Sequence, residues 1–249
     1  MKNSITESEI EDVALNILTE LGYKIIYGPD IAPDGPNPER KDYSEVVLKE
    51  RLISAINRLN PKIPKDAREE AVKKVLRTES QNLTIDNQSF HKMLCEGVEV
   101  EYKRADGEIK CDKVWLFDFQ NPENNEFLAI NQFTVASKQP PNRRPDIVLF
   151  VNGIPLVVIE LKNMVDENAT VDSAYRQIQT YKDDIQPIFK YNELIILSDG
   201  ILSKAGTITS TSEWFMPWKT IAGKKQSKGM SSLEVLIRGM LNKETFLDL

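Results

Sequence analysis

Apolar residues recur at helical spacing through Ile10, Val13, Ala14, Ile17, Leu18 and Leu21. A Thr6-Glu7-Ser8-Glu9 capping box precedes them and Gly22 follows, which predicts a helix closed by a C-terminal glycine. Tyr23–Tyr27 reads as a short strand, and Gly28–Pro38, with four prolines and two glycines, as an irregular loop. Helical spacing returns over Tyr43–Leu59, stopped by Asn60-Pro61, and over Lys65–Arg77. A weaker helical patch at Phe90–Cys95 leads into Val98–Lys103, a turn at Ala105-Asp106-Gly107 and a strand Ile109–Phe119, together a hairpin. Phe127–Val135 predicts a further strand, and the polar loop Lys138–Asn142 leads the chain onward.

The strongest pattern follows. Ile147–Val151 and Ile154–Ile159 are apolar, β-rich and separated by Asn152-Gly153, the best short-range signal for a hairpin. Charge stands only at its open end, where Asp146 begins one strand and Glu160 and Lys162 close the other. Residues two apart share a face, so Glu160 and Lys162 project together. A plain two-residue turn would pair Asp146 with Ile159 and send Glu160 to the opposite face. Shared use of the two carboxylates therefore predicts a three-residue loop at Val151–Gly153 with Gly153 left-handed, or an equivalent bulge.

Beyond the hairpin, a helix is expected from about Ala169 to Ile185, with Gln177 and Tyr181 on adjacent turns of one face. Leu194–Leu197 is a buried strand, Ser198-Asp199-Gly200 a turn, Gly206–Ser212 a short strand or loop, and Ser231 starts an amphipathic helix. A helix joining two strands implies a crossover. The expected fold is therefore α/β, a mixed central β-sheet flanked by helices with an N-terminal helical part. Residues 1–230 form one domain with a helical elaboration at about 43–77, and 231–249 begin a linker helix. The chain stops at Leu249 inside an apolar pattern, as expected of a portion of a longer protein.

Composition narrows the chemistry. His91 is the only histidine among 249 residues, so His-rich metal sites and Ser-His-Asp clusters are disfavoured and catalysis falls to carboxylates and lysine. Cys95 and Cys111 make no disulfide framework. No apolar run approaches membrane-spanning length and the polar start is no signal peptide, which points to the cytoplasm. A net charge of −6 requires local cations for any DNA contact; Arg143 and Arg144 precede the acidic pair, and Lys219, Lys224, Lys225 and Lys228 lie in an acid-free stretch.

Asp146 and Glu160 are hard oxygen ligands suited to Mg²⁺, Lys162 is placed to orient water or offset phosphate charge, and Glu11, bordering the core, is a further ligand candidate. The run Arg144–Asn163 resembles the PD-(D/E)xK nucleases, in particular the restriction (R) subunit of type I restriction–modification enzymes. The likeness extends to the opening helix ending Leu-Gly-Tyr, Arg58-Leu59-Asn60-Pro61, Asn131–Val135, Ser198-Asp199-Gly200, and Gln177–Tyr181, which matches a Gln-x-x-x-Tyr motif shared with RecB-like nucleases. The resemblance implies a restriction-endonuclease-like core with Asp146, Glu160 and Lys162 catalytic and Gln177 and Tyr181 supporting them. It also implies a first-helix acid, for which Glu11 fits best by position, with Glu7 and Glu9 as substitutes. It implies double-stranded DNA as substrate, specificity and methyltransferase subunits as partners, and an ATP-driven motor further along; Gly223-Lys224-Lys225 is no phosphate-binding loop. A catalytically incomplete DNA-docking or assembly module and a stand-alone repair or junction nuclease remain the alternatives.

Overall fold

The computed structural model describes residues 6–104, 106–162, 170–225 and 229–249. The capping box forms, Thr6 Oγ1 accepting from the Glu9 N–H at 3.3 Å and Glu9 Oε2 accepting from the Thr6 N–H at 2.7 Å. Helix α1 (Glu7–Glu20) buries Ile10, Ala14, Ile17 and Leu18, and Gly22 at φ +85° turns the chain into β1 (Lys24–Tyr27). The helix expected from Tyr43 starts later, as α2 (Lys49–Leu59). Val46, Val47 and Leu48 are all buried, which one helical face cannot achieve for consecutive residues, and the Leu48 N–H bonds to the Gly153 carbonyl at 2.9 Å.

Helix α3 (Lys65–Leu76) matches its expected span, whereas the patch at Phe90–Cys95 is only the second half of α4 (Leu83–Glu96). Asn82 caps α4 by accepting from the Thr84 and Ile85 N–H groups. Strands β2 (Val98–Lys103) and β3 (Ile109–Val114) form the first hairpin. β3 stops short of the expected Phe119 because the Asn60 side chain takes both Trp115 backbone groups, each at 2.8 Å, in place of a ladder partner. Strand β4 (Phe127–Asn131) likewise ends before Val135, at Gln132, whose φ of +56° breaks the strand.

Strands β5 (Ile147–Val151) and β6 (Ile154–Leu161) are buried along their whole length. Helices α5 (Val171–Asp184) and α6 (Gln186–Phe189) then lead to β7 (Leu194–Ser198) and β8 (Ser203–Gly206). Ala105, Asn163, Ala169 and Lys228 lie outside the described residues. The central sheet has the order β1-β4-β5-β6-β7-β8, with β1/β4 and β6/β7 parallel and the other pairs antiparallel. It is the mixed, helix-flanked sheet expected, with α5 and α6 in the crossover. A small hairpin, β9 (Thr220–Ile221) with β10 (Lys224–Lys225), packs on α7 (Ser232–Met240), and α8 (Lys243–Asp248) follows. α7 packs against α1, and the Tyr23 hydroxyl donates to the Leu241 carbonyl between α7 and α8 at 2.9 Å.

The central turn corrects the expected three-residue loop. Val151 pairs with Ile154, leaving Asn152 (φ +50°) and Gly153 (φ +82°) as a two-residue turn of the primed kind. The register is restored further along β6, where Phe150 pairs with Pro155 but Leu149 pairs with Val157, so Leu156 is the extra residue of a bulge. Pro155, lacking an N–H, favours that irregularity. The freed Leu156 carbonyl accepts from the Glu193 N–H at 2.8 Å and from Asn192 Nδ2 at 3.3 Å.

The turn is a structural hub. Asn152 is fully buried; its amide donates to the Leu116 carbonyl and Asn125 Oδ1, and its Oδ1 accepts from the Glu126 N–H and Arg58. Asn152→Ala strands those partners and places a less tolerant residue at positive φ, so urea unfolding should show a loss of about 3 kcal/mol.

Candidate active site

Ile147 pairs with Ile159, so by the same register Asp146 comes opposite Glu160, on one face of the hairpin's open end. The Leu161 N–H donates to Asp146 Oδ2 at 2.7 Å. Lys162 Nζ reaches back along its own strand to Glu160 Oε1 at 2.6 Å, the same-face spacing of residues two apart. The Lys162 N–H is fixed by the Ser198 carbonyl at 2.8 Å, which ties the lysine to β7 and gives the Ser198-Asp199-Gly200 turn a place in the site.

Glu160 is 1% exposed and its Oε2 has no hydrogen-bond partner, although it lies beside a second carboxylate. Burial, then the Asp146 and Glu7 charges, push its pKa up to about 8 against the pull of Lys162. Burial likewise lifts Asp146 to about 6, opposed by the Leu161 N–H and Lys162 and assisted by Glu7 and Glu11. Burial opposes the charge on Lys162, but the Glu160, Asp146 and Glu7 carboxylates outweigh it and raise the lysine. At neutral pH Lys162 is therefore a cation.

The first helix brings two acids, one turn apart. Glu11 is held in place, Oε1 by Asn131 Nδ2 at 2.7 Å and Oε2 by Gln132 Nε2 at 2.8 Å. The strained Gln132 also donates its N–H to the Asp146 carbonyl at 2.9 Å, so one residue ties α1, β4 and the start of β5 together. Glu7 has no hydrogen bond or ion pair among the described residues, and its charge acts on Asp146, Glu160 and Lys162 alike. Glu9 is occupied in the capping box. From α5, Gln177 Nε2 donates to the Tyr181 hydroxyl at 2.6 Å, and burial together with the Glu160 and Asp146 charges raises the Tyr181 pKa.

Two opposed carboxylates with an orphaned buried oxygen are a donor set for a hard divalent cation, which binds one or two carboxylates and keeps water on its remaining positions. Among the described residues no cluster of three or more His, Cys, Asp or Glu has the geometry to hold a metal, so the fit rests on Asp146 and Glu160 with water.

The family model described as type I restriction enzyme R protein N terminus matches residues 4–214 of the chain. The chain belongs to that family. Among its relatives, the type I restriction enzyme HindI endonuclease subunit of Haemophilus influenzae is 39% identical over 247 residues, 98% of this chain and 23% of that subunit. A provisionally named MjaIXP endonuclease subunit of Methanocaldococcus jannaschii is 31% identical over 258 residues, 96% of this chain and 24% of that subunit. The chain thus spans about a quarter of the length of these curated relatives.

In this R-protein N-terminal domain the remaining candidates sit as follows. Arg143 is bound to Asp184 of α5, Nε at 2.7 Å and Nη2 at 2.6 Å, so it secures the loop before β5. Arg144 is exposed beside it. Lys224 and Lys225 lie on a different element, the small hairpin on α7. Sequence spacing missed the anchoring of Glu11 by Asn131 and Gln132, the Leu161 N–H on Asp146 and the backbone bond from Ser198, because each joins segments far apart in the chain. Glu7 had a signal, since it precedes Glu11 by four residues and shares its helical face. No helix among the described residues is long and apolar enough to cross a membrane.

Proposed function

We propose that this domain is the nuclease part of a type I restriction enzyme and hydrolyses phosphodiester bonds of double-stranded DNA with Mg²⁺ held by Asp146 and Glu160. The observation that supports this best is the buried, opposed carboxylate pair with its unpartnered Glu160 oxygen beside a cationic lysine. When bound, the ion supplies charge neutralisation at the phosphate and a more acidic water. The chain supplies the rest. Lys162, charged and held by Glu160, orients the attacking water and offsets charge developing on the phosphate; it does not serve as a base. Leu161 and the Ser198 carbonyl hold the strand ends in register. Glu11 positions α1, and Glu7, an acid of that helix with no side-chain partner among the described residues, serves the pair as an outer water-binding group. Gln177 and Tyr181 close the α5 side.

In this reading the domain cuts DNA without sequence specificity of its own. Sequence choice comes from specificity and methyltransferase subunits, and DNA is delivered by ATP-driven translocation encoded outside these residues, in the cytoplasm. An assembly module with an incomplete site is the competing reading.

Mn²⁺ titration followed by paramagnetic broadening of backbone NMR signals separates the two. Broadening is expected to centre on residues 146 and 160–162 and extend to the start of α1. It should vanish in Glu160→Gln and weaken in Glu7→Gln. Broadening spread evenly over surface acids would sink the cation site.

A further inference from the structure

On the α5 side of the acid pair lies a cleft of about 640 Å³ lined by Arg143, Arg144, Arg176, Gln177, Thr180 and Tyr181, among others. Its arginines come from two elements, the loop before β5 and helix α5. They are not equivalent. Arg143 is neutralised by Asp184, whereas the guanidinium groups of Arg144 and Arg176 are exposed and make no hydrogen bond or ion pair among the described residues. Two rows of α5 face the cleft, Arg176 with Thr180 and Gln177 with Tyr181, each pair four residues apart. Arg144 stands two residues before Asp146, at the open end of the hairpin, which sets this cleft beside the carboxylate pair.

Two unpaired like charges converging on one polar cleft, in a chain of net charge −6, are unfavourable unless an anion enters between them. We infer that this cleft holds the DNA backbone phosphates flanking the bond to be cut, with Arg144 and Arg176 as their ligands and the second amide hydrogen of Gln177 donating a neutral hydrogen bond. The planar guanidinium fork suits phosphate oxygens, and contacts to phosphate carry no sequence information, which agrees with a cut lacking sequence preference. The inference rests on the nuclease reading and adds Arg176, which lies outside the Gln-x-x-x-Tyr pair.

The test is fluorescence anisotropy of a short labelled duplex against the chain in Ca²⁺, over a series of salt concentrations. Removing one cationic phosphate ligand lowers the slope of log K against log salt by about 0.9, so Arg144→Gln/Arg176→Gln should lower it by about 2 and weaken binding most at low salt. Both side chains are exposed, so the melting temperature is expected to stay at the wild-type value; a slope change accompanied by unfolding would be separated by Arg176→Lys, which keeps the charge and should keep the slope. Asp146→Asn should keep the full slope while losing cleavage in the assembled enzyme. An unchanged slope in the double variant, or no salt-dependent binding by the wild type, overturns the cleft while leaving the Asp146 result to judge the nuclease reading on its own.

Discussion

Lys162→Ala, introduced into the complete enzyme, is expected to reduce DNA cleavage by about 10²–10⁴-fold with the fold retained. Among the described residues Lys162 is the cation that touches the carboxylate pair, and its own side chain is only 15% exposed. Under the proposed mechanism, its removal takes away the group that orients water and offsets charge at the phosphate. The fold survives because burial already favours the protonated form of Glu160 near neutral pH, so losing Lys162 leaves no buried unpaired anion. Arginine is a poor replacement: Nζ approaches Glu160 Oε1 as a single point at 2.6 Å, and a planar fork does not reproduce that contact in a buried site. Asp146→Asn should give a comparable loss for a different reason, since it removes half of the carboxylate pair while keeping an acceptor for the Leu161 N–H. Plasmid linearisation by the assembled enzyme with Mg²⁺ and ATP, alongside circular dichroism of the chain, is the measurement. Cleavage at the wild-type rate in either variant removes that residue from catalysis.

How far these residues could be found from the sequence depends on the range of the interaction that places them. Caps and hairpins are local, so the Thr6–Glu9 box, Gly22 and the place of the hairpin at Asn152-Gly153 were legible, though not its two-residue turn. The demand that Asp146 and Glu160 share a face was also legible, because side-chain alternation depends only on parity. Where the parity is corrected was not. The expected site was the turn, and the chain places the extra residue at Leu156, where Pro155 weakens the ladder and Asn192 and Glu193 satisfy the carbonyl left over. Those partners arrive from beyond the crossover. The same holds for Val46–Leu48, whose burial against the Gly153 loop overrides helical spacing, and for Trp115, whose strand is ended by Asn60. On α1, the placement of Glu11 by Asn131 and Gln132 was not legible, because it depends on two amides at the end of β4.

Raising the pH should destabilise the metal-free chain, and Glu160→Gln should remove much of that dependence. Folding lifts Glu160 from 4.5 to about 8 and Asp146 from 3.8 to about 6, chiefly by burial. The folded state therefore holds these protons more tightly than the unfolded chain. The associated stability is fully present below the unfolded values and is lost as pH rises, first through about 6 at Asp146 and then through about 8 at Glu160. This is opposite to a salt-bridged surface carboxylate, whose contribution is lost towards acid. Glutamine keeps the shape and an acceptor for Lys162 but cannot ionise, so it fixes position 160 in the form the fold prefers. In thermal melts with chelator, the variant should melt at least about 5 °C above wild type near pH 8.5, with the gap closing towards pH 5. Comparing the two proteins cancels the titration of other groups such as the half-buried Glu193. A divalent cation should restore the wild type most at the alkaline end, where both carboxylates are charged, and leave the variant nearly unmoved. Parallel melting curves across this range would mean that the pair is stabilised as anions by the protein alone, leaving no electrostatic reason for it to take up a cation.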